Sequence, residues 1–273
     1  MTDSFSGIYL YLWAILRPLM KVVVNPKYKH LEGFLVKALS HSYKAENVYR
    51  NFRNTVEDVT VDGLHMVVKI FKKPTEFNRV VYSFLRPTKA KRSYEYSLRL
   101  ISLGVDVPEP VGYVEKKKGL FFHTGCYVCV YTDFKPVTDF LGKDVNDPQT
   151  KAFIDAFADY AASFHSQGLI HNDFNIDNIL YKVVDGKYRF QLIDLNRVQF
   201  HNRSLMRCAK DISNIHFAPE MMQAIIERYC ACRLLKFKEF SDKVKLNTSK
   251  AKGITKIKDI VLIPLGLRKK RKN

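Results

Sequence analysis

The sequence is poor in acidic side chains: 27 Asp and Glu stand against 45 Lys and Arg over 273 residues, a formal net charge of +18. Such a surplus suggests an anionic partner: nucleic acid, a membrane surface or a phosphorylated substrate. It is uneven, because residues 201–273 hold 18 basic and 6 acidic side chains, two thirds of the total excess. The sequence has no zinc-finger spacing and no aromatic RNA-binding motif, which argues against nucleic acid. Five cysteines, an odd number, give no disulfide framework and point to a reducing compartment. Cys126 and Cys129 in "CYVC" have zinc or redox spacing, but no second pair repeats it, and they sit in a strand-like run. Internal repeats and low-complexity blocks are absent, which removes solenoids and arrays. The uncharged run Ser4–Leu16 is too short to span a bilayer, is broken by Arg17 and Pro18, and lacks a basic leader and a cleavage site. It is expected to form an interfacial or packing helix, or to be an upstream extension if translation starts at Met20.

What is present organises the chain into a sheet-rich part followed by a helix-rich one. A hydrophobic content of 47% supports a real core. Asp62-Gly63 is a two-residue hairpin signal between alternating runs, and its register sets Lys69 opposite Val56. The polar loop "YRNFRNT", residues 49–55, then falls just past the strand end carrying Lys69; its arginines, Arg53 among them, are either phosphate contacts or part of an ordinary surface turn. "PTKAKRSYEYSLRLISLG" predicts a helix with Ala90, Tyr94, Leu98 and Ile101 inward, ended by Gly104. Glu95 lies mid-helix, where its simplest partner is Arg99. Near residue 135 the pattern changes: Asp147-Pro148 predicts a helix start, Phe153, Phe157, Tyr160 and Phe164 a core stripe, and Gly168 a stop. The expected organisation is an apolar extension over 1–19, a sheet-rich lobe over 20–134, a helix-rich lobe over 135–262 and a basic tail over 263–273. That tail, "LRKKRKN", is either a solvated end or a polybasic anchor for anionic lipid.

The densest polar stretch is "HNDFNIDNIL", residues 171–180. A second hairpin signal, Asp185-Gly186, sets Asn178 opposite Ile193, with Asp194 next to it, and Asp173 lies five residues before Asn178 in the same loop. An amide oxygen and a carboxylate brought together are hard ligands suited to Mg²⁺. A separate carboxylate that accepts a hydroxyl proton completes what phosphoryl transfer requires, since the protein supplies mainly metals, cations and positioning. Taken singly, Asp173, Asn175 and Asp177 also read as turn and cap residues.

Together these residues resemble the protein-kinase-like fold. "HNDFNIDN" matches its catalytic-loop pattern H-x-D-x-x-x-x-N, "IDLNR" stands at its metal-binding Asp motif, and "VVKIF" resembles the strand bearing its phosphate-contacting lysine. Within that fold the chain is similar to the bacterial lipopolysaccharide kinases, whose D-L-x-R variant matches Asp194 to Arg197, and "KAKRSYEYSLRL" with "VPEPVGYVE" supports the likeness. The resemblance fades beyond about residue 205. It implies an α+β, two-lobed fold with a small sheet-rich N-lobe and a compact, mainly helical C-lobe. It also implies an ATP- and Mg²⁺-dependent kinase acting on a Kdo or heptose hydroxyl of a lipid-linked glycan, the lipopolysaccharide core. The protein would then be cytoplasmic and peripheral on the anionic inner face of the bacterial inner membrane. By the same resemblance Asp173 is the catalytic base, Asn178 and Asp194 hold Mg²⁺, Lys69 meets the α/β-phosphates held by Glu95, and the adenine hinge lies near Tyr131 to Phe134.

Departures bear on the substrate. No G-x-G-x-x-G loop is present, which leaves "YRNFRNT" to cover the phosphates, Arg53 included. Asn172 stands where regulated protein kinases carry arginine, and Asn175 where they commonly carry lysine; both disfavour a protein substrate. "FAPE", Phe217–Glu220, resembles the A-P-E closing a kinase activation segment, but only 53 residues follow it, and it is read as a chance match. The alternatives are a Ser/Thr or Tyr protein kinase and a membrane-associated pseudokinase serving as a binding module.

Overall fold

The structure is a computed structural model that describes residues 20–51 and 54–262. The expectations for residues 1–19, for Arg53 and for the tail 263–273 lie outside the described residues. Two compact units form: one runs through Asp133 and includes Asp194–Asn196, and the other comprises the remainder from Phe134 onward.

The first unit is built on a six-stranded antiparallel sheet: β1 (Met20–Val24), β2 (Val48–Asn51), β3 (Asn54–Val61), β4 (Leu64–Phe71), β5 (Pro110–Lys118) and β6 (Phe121–Val130), in spatial order β1-β5-β6-β4-β3-β2. Period-two alternation gives it two apolar faces. Met66, Val68 and Ile70 of β4 pack with Leu31, Leu35 and Ala38 at helix α1 (Glu32–Leu39). Phe71 and the partly buried Val67 join Tyr113, Tyr127 and Cys129 on the opposite face, with Ala90 and Tyr94. Asp62 and Gly63 take φ of 51° and 76°, the left-handed pair that matches strand twist in a tight hairpin. Val56 therefore faces Lys69, as the turn predicts.

Two sequence expectations change here. The described part of segment 49–55 is strand, not open loop: β2 pairs with β3, Asn51 opposite Thr55. Cys126 belongs to the first apolar face and Cys129 to the second, so these thiols cannot share a metal; burial pushes each up to about 12. Finally, α2 (Glu76–Val80) and a π-helical turn (Val81–Leu85) precede the expected helix, α3 (Lys89–Ser102). The buried arc of α3 is Ala90, Ser93, Tyr94, Ser97 and Leu100, whereas Leu98 and Ile101 are exposed. Small serines let the helix approach the sheet, and the Ser97 hydroxyl lies 3.0 Å from that of Tyr127.

The second unit carries a three-stranded sheet, β7 (Lys135–Pro136), β8 (Ile179–Val184) and β9 (Lys187–Leu192). Its helices are α4 (Pro148–Ser166), α5 (Leu205–Ser213), α6 (Pro219–Cys232) and α7 (Phe237–Leu262). Asp147 caps α4, accepting the Thr150 N–H at 2.8 Å, and Pro148 opens it, as the sequence predicts. Phe153, Phe157 and Phe164 are buried with Phe140, Phe174, Phe190 and Phe217; the Phe140 and Phe153 rings stack at 3.7 Å. The aromatic stripe is therefore core. Among the described residues no helix is long and apolar enough to cross a membrane.

Gly112 of β5 lies where α1 presses closest, and a Cβ there would meet the Val23 carbonyl oxygen at 2.5 Å and Leu35 Cδ1 at 2.6 Å. Gly112→Ala is expected to destabilise the first unit by about 2 kcal/mol through overpacking, seen as a lower urea midpoint at unchanged slope.

Candidate active site

The loop after α4 is fixed from below by one buried carboxylate. Asp211, on α5, accepts the backbone N–H of His171 at 2.7 Å and that of Asn172 at 2.9 Å. Two charge-assisted bonds to consecutive amides clamp the chain at its entry to the polar stretch. Asn172 takes φ of 63°, a left-handed conformation in which asparagine is among the better-tolerated side chains, and its amide donates to the Arg197 carbonyl at 3.0 Å. His171 is buried and its Nε2 lies 3.1 Å from the Ile193 carbonyl, which requires Nε2 to carry the proton.

Asp173 then emerges partly exposed. Its carboxylate receives the Asn175 amide at 3.2 Å and stands 3.5 Å from the Arg197 guanidinium. Its carbonyl accepts from the Asn175 N–H and from Asn178 Nδ2, both at 2.9 Å. Asn178 thus spends its amide nitrogen on the loop, which orients the side chain and leaves Oδ1 as the atom suited to a cation. Asp185 and Gly186 take φ of 50° and 72°, and β8 and β9 keep the register that this turn predicts. The ladder extends one rung further, with Ile193 N–H donating to the Asn178 carbonyl at 3.0 Å. Both polar backbone groups of Ile193 are therefore held by residues 171–178, immediately before Asp194.

Asp194 takes φ of 59°, again a left-handed position held by a residue that tolerates it. Within the first unit its Oδ1 lies 2.6 Å from Lys69 Nζ and also receives the Asn196 amide. Lys69 reaches it from β4, where Tyr127 flanks it across the ladder. Glu95 is not brought to Lys69. It is exposed on α3 and pairs with Lys91 at 3.6 Å, because the arc facing the sheet is taken by Ser93, Tyr94 and Ser97. Within the first unit, the Asp194 carboxylate beside the Lys69 ammonium is a pair whose chemistry fits Mg²⁺ and phosphate.

The profile of the lipopolysaccharide kinase (Kdo/WaaP) family matches residues 37–231. The chain belongs to that family. A 3-deoxy-D-manno-octulosonic acid kinase of Vibrio parahaemolyticus is 23% identical over 150 residues, which are 53% of this chain and 60% of the relative. The alignment thus spans about three fifths of the curated relative's length. Among solved structures, WaaP in complex with acyl carrier protein matches with a TM-score of 0.60 at 18% identity, over 85% of this chain and 98% of that one. This match shows the kinase-like α+β fold, with its N-terminal antiparallel sheet and C-terminal helices.

In this family member, Asp211 is the residue that motif reading misses. Its local signal is a lone carboxylate on the face of α5 that also carries the buried Cys208, Ala209 and Ile212. Removing it would leave two buried amides unpaired, so Asp211→Ala is expected to cost about 3 kcal/mol and to strip hydrogen-exchange protection from His171 and Asn172.

His165 lies beside Asp211, its Nε2 3.5 Å from the carboxylate and its Nδ1 2.8 Å from the Tyr229 hydroxyl. Burial holds it below the ordinary histidine range, against the opposing pull of Asp211. A depressed histidine binds its proton more readily when unfolded, so its contribution is complete above about pH 6.5 and declines as pH falls below that value. His123, in the first unit, is depressed in the same direction by burial and neighbouring cations. Thermal stability is accordingly expected to decline between pH 7.5 and pH 5.5, and His165→Gln should flatten that slope even if it lowers stability at neutral pH.

Proposed function

We propose that the protein is an ATP- and Mg²⁺-dependent kinase that transfers a γ-phosphate to a sugar hydroxyl, of Kdo or heptose, in the lipopolysaccharide inner core. The observation that carries this reading is the double hold on Ile193, which joins the Asp173 loop to Asp194 through one residue. The named activity of the Vibrio parahaemolyticus relative favours Kdo as acceptor.

In this reading Asp173 accepts the proton of the acceptor hydroxyl as its oxygen bonds to the γ-phosphorus and the bond to the β,γ-bridging oxygen breaks, releasing ADP. The Arg197 guanidinium and Asn175 amide hold the carboxylate in place for that proton. Lys69 supplies positive charge to the α/β-phosphates, with Asp194 rather than Glu95 as its carboxylate partner. Asn178 Oδ1 and Asp194, one ladder rung and one residue apart, are the oxygens assigned to Mg²⁺, which when bound neutralises phosphate charge. Work at the cytoplasmic face of the inner membrane, an anionic surface, suits both a lipid-linked acceptor and the basic character of the chain.

Two features weigh against a protein acceptor. Glu220 of "FAPE" is exposed in the first turn of α6, after Pro219 at its first position, which is an ordinary helix start. The Asn172 side chain is taken up by the Arg197 carbonyl, to which it donates at 3.0 Å.

Transfer of labelled γ-phosphate to a lipid A–Kdo acceptor tests the reading. Asp173→Asn is expected to lower the rate roughly 10²- to 10⁴-fold with nucleotide binding retained, and full activity in that variant would remove Asp173 from the mechanism.

A further inference from the structure

Ten consecutive residues of the first unit, Glu76–Leu85, form α2 and the π-helical turn and contribute no buried side chain. Six of the ten are large and apolar or aromatic: Phe77, Val80, Val81, Tyr82, Phe84 and Leu85. Phe77 and Leu85 are each 78% exposed and Phe84 is 62% exposed. The adjoining β5–β6 hairpin adds Leu120 at its tip, 75% exposed, and Phe121. A folded domain rarely leaves so many large apolar side chains together in water without a use for them.

The protrusions share one firm platform. Phe122 N–H donates to Ser83 Oγ at 2.8 Å, and its carbonyl accepts from Arg79 Nε at 3.3 Å, so side chains of the helical segment tie it to β6. Phe84 meets Phe121 edge-on at 5.9 Å, and the Arg79 guanidinium lies 5.6 Å from the Phe121 ring centre. The π-helical turn closes with Arg86 N–H on the Val81 carbonyl at 2.8 Å and turns the consecutive Phe84 and Leu85 outward.

The surrounding charge is of one sign. Residues 72–91 carry six Lys and Arg against Glu76 alone, and residues 115–123 carry three lysines against Glu115 alone. Glu76 is already paired with Arg79 and, at 3.5 Å, with Lys73, and Glu115 accepts the Thr88 hydroxyl. A groove of about 480 Å³ beside the patch is bordered by Lys21, Phe84, Arg86, Lys91 and Lys117. Met20 borders it as well.

We propose that this face, formed by α2, the π-helical turn and the tip of the β5–β6 hairpin, seats on an anionic phospholipid bilayer. The apolar tips enter the headgroup–acyl boundary while the lysines and arginines remain among the phosphates. Separate projecting tips encircled by cations suit a bilayer, which yields around each of them, whereas a folded acidic protein would need a matching pocket for every one. The proposal deepens the reading of a lipid-linked acceptor and rests on it only for its purpose, because binding to vesicles requires no turnover.

The test is cosedimentation of the full chain with phosphatidylcholine vesicles with and without phosphatidylglycerol. Compared are the wild type, Phe84→Ser/Leu85→Ser/Leu120→Ser, Lys117→Glu/Lys118→Glu, and, as a control, Leu234→Ser on an exposed leucine of the second unit. The expected result is binding to the anionic vesicles only, weakened about tenfold or more by either set on the proposed face, by added salt, and not by the control. Because the substituted side chains are exposed, unchanged circular dichroism and melting verify the fold.

The proposal is overturned if both sets bind vesicles like the wild type. It is equally overturned if deletion of residues 1–19 alone abolishes binding, or if the face captures an acidic protein and no vesicle. Phosphate transfer to a deacylated, water-soluble acceptor separates the two readings: its absence in the wild type removes the kinase reading and leaves the vesicle result standing.

Discussion

The buried carboxylate of Asp211 is the constraint on which the geometry of the second unit turns. A charge so enclosed is costly unless its oxygens are occupied, and here each takes a backbone N–H from successive residues, His171 and Asn172. Those bonds fix the loop at its entrance. The His171 ring then fixes the Ile193 carbonyl, and Asn178 fixes the Ile193 N–H. Ile193, the residue directly before Asp194, is thus held at both its polar backbone groups by the loop that Asp211 anchors.

Left-handed backbone recurs where the site needs a sharp change of direction. Asn172 and Asp194 both have φ near 60°, and both hairpins that set the register open on an aspartate with φ near 50°. Short Asp and Asn side chains tolerate this region better than most other non-glycine residues. The density of such residues in "HNDFNIDNIL" and around the turns therefore has a backbone cause as well as a chemical one. Within residues 171–178 the amides of Asn175 and Asn178 both donate to Asp173, while that of Asn172 donates to the Arg197 carbonyl.

Much of this was legible in the sequence because two-residue Asp-Gly turns admit essentially one register. Lys69 opposite Val56, and Asn178 opposite Ile193 with Asp194 next, come from turn chemistry alone. The capped helix after Asp147 and its phenylalanine stripe were legible for the same local reasons. The pairing of Glu95 with Lys69 came from the family resemblance, whereas the residues alone put Glu95 on the surface; periodicity misread Leu98 and Ile101, because it gives a helix's phase only when large apolar residues mark its buried face. On α3 that face is marked by serines, which rotates the true arc away from Leu98 and leaves Glu95 in solvent. The edge strand β2, polar and short, read as a loop. Asp211 bonds to residues 39 and 40 positions away, a relation no local pattern encodes.

The central proposal is that Asn178 and Asp194 hold Mg²⁺ and that Lys69 meets nucleotide phosphate. Calorimetric titration of ATP with and without Mg²⁺ tests it most directly, comparing the wild type with Asp194→Asn. The account predicts that Mg²⁺ strengthens ATP binding to the wild type and that Asp194→Asn loses this increment while keeping its affinity for metal-free ATP. Wild-type binding indifferent to Mg²⁺, or an undiminished Mg²⁺ increment in Asp194→Asn, would contradict it.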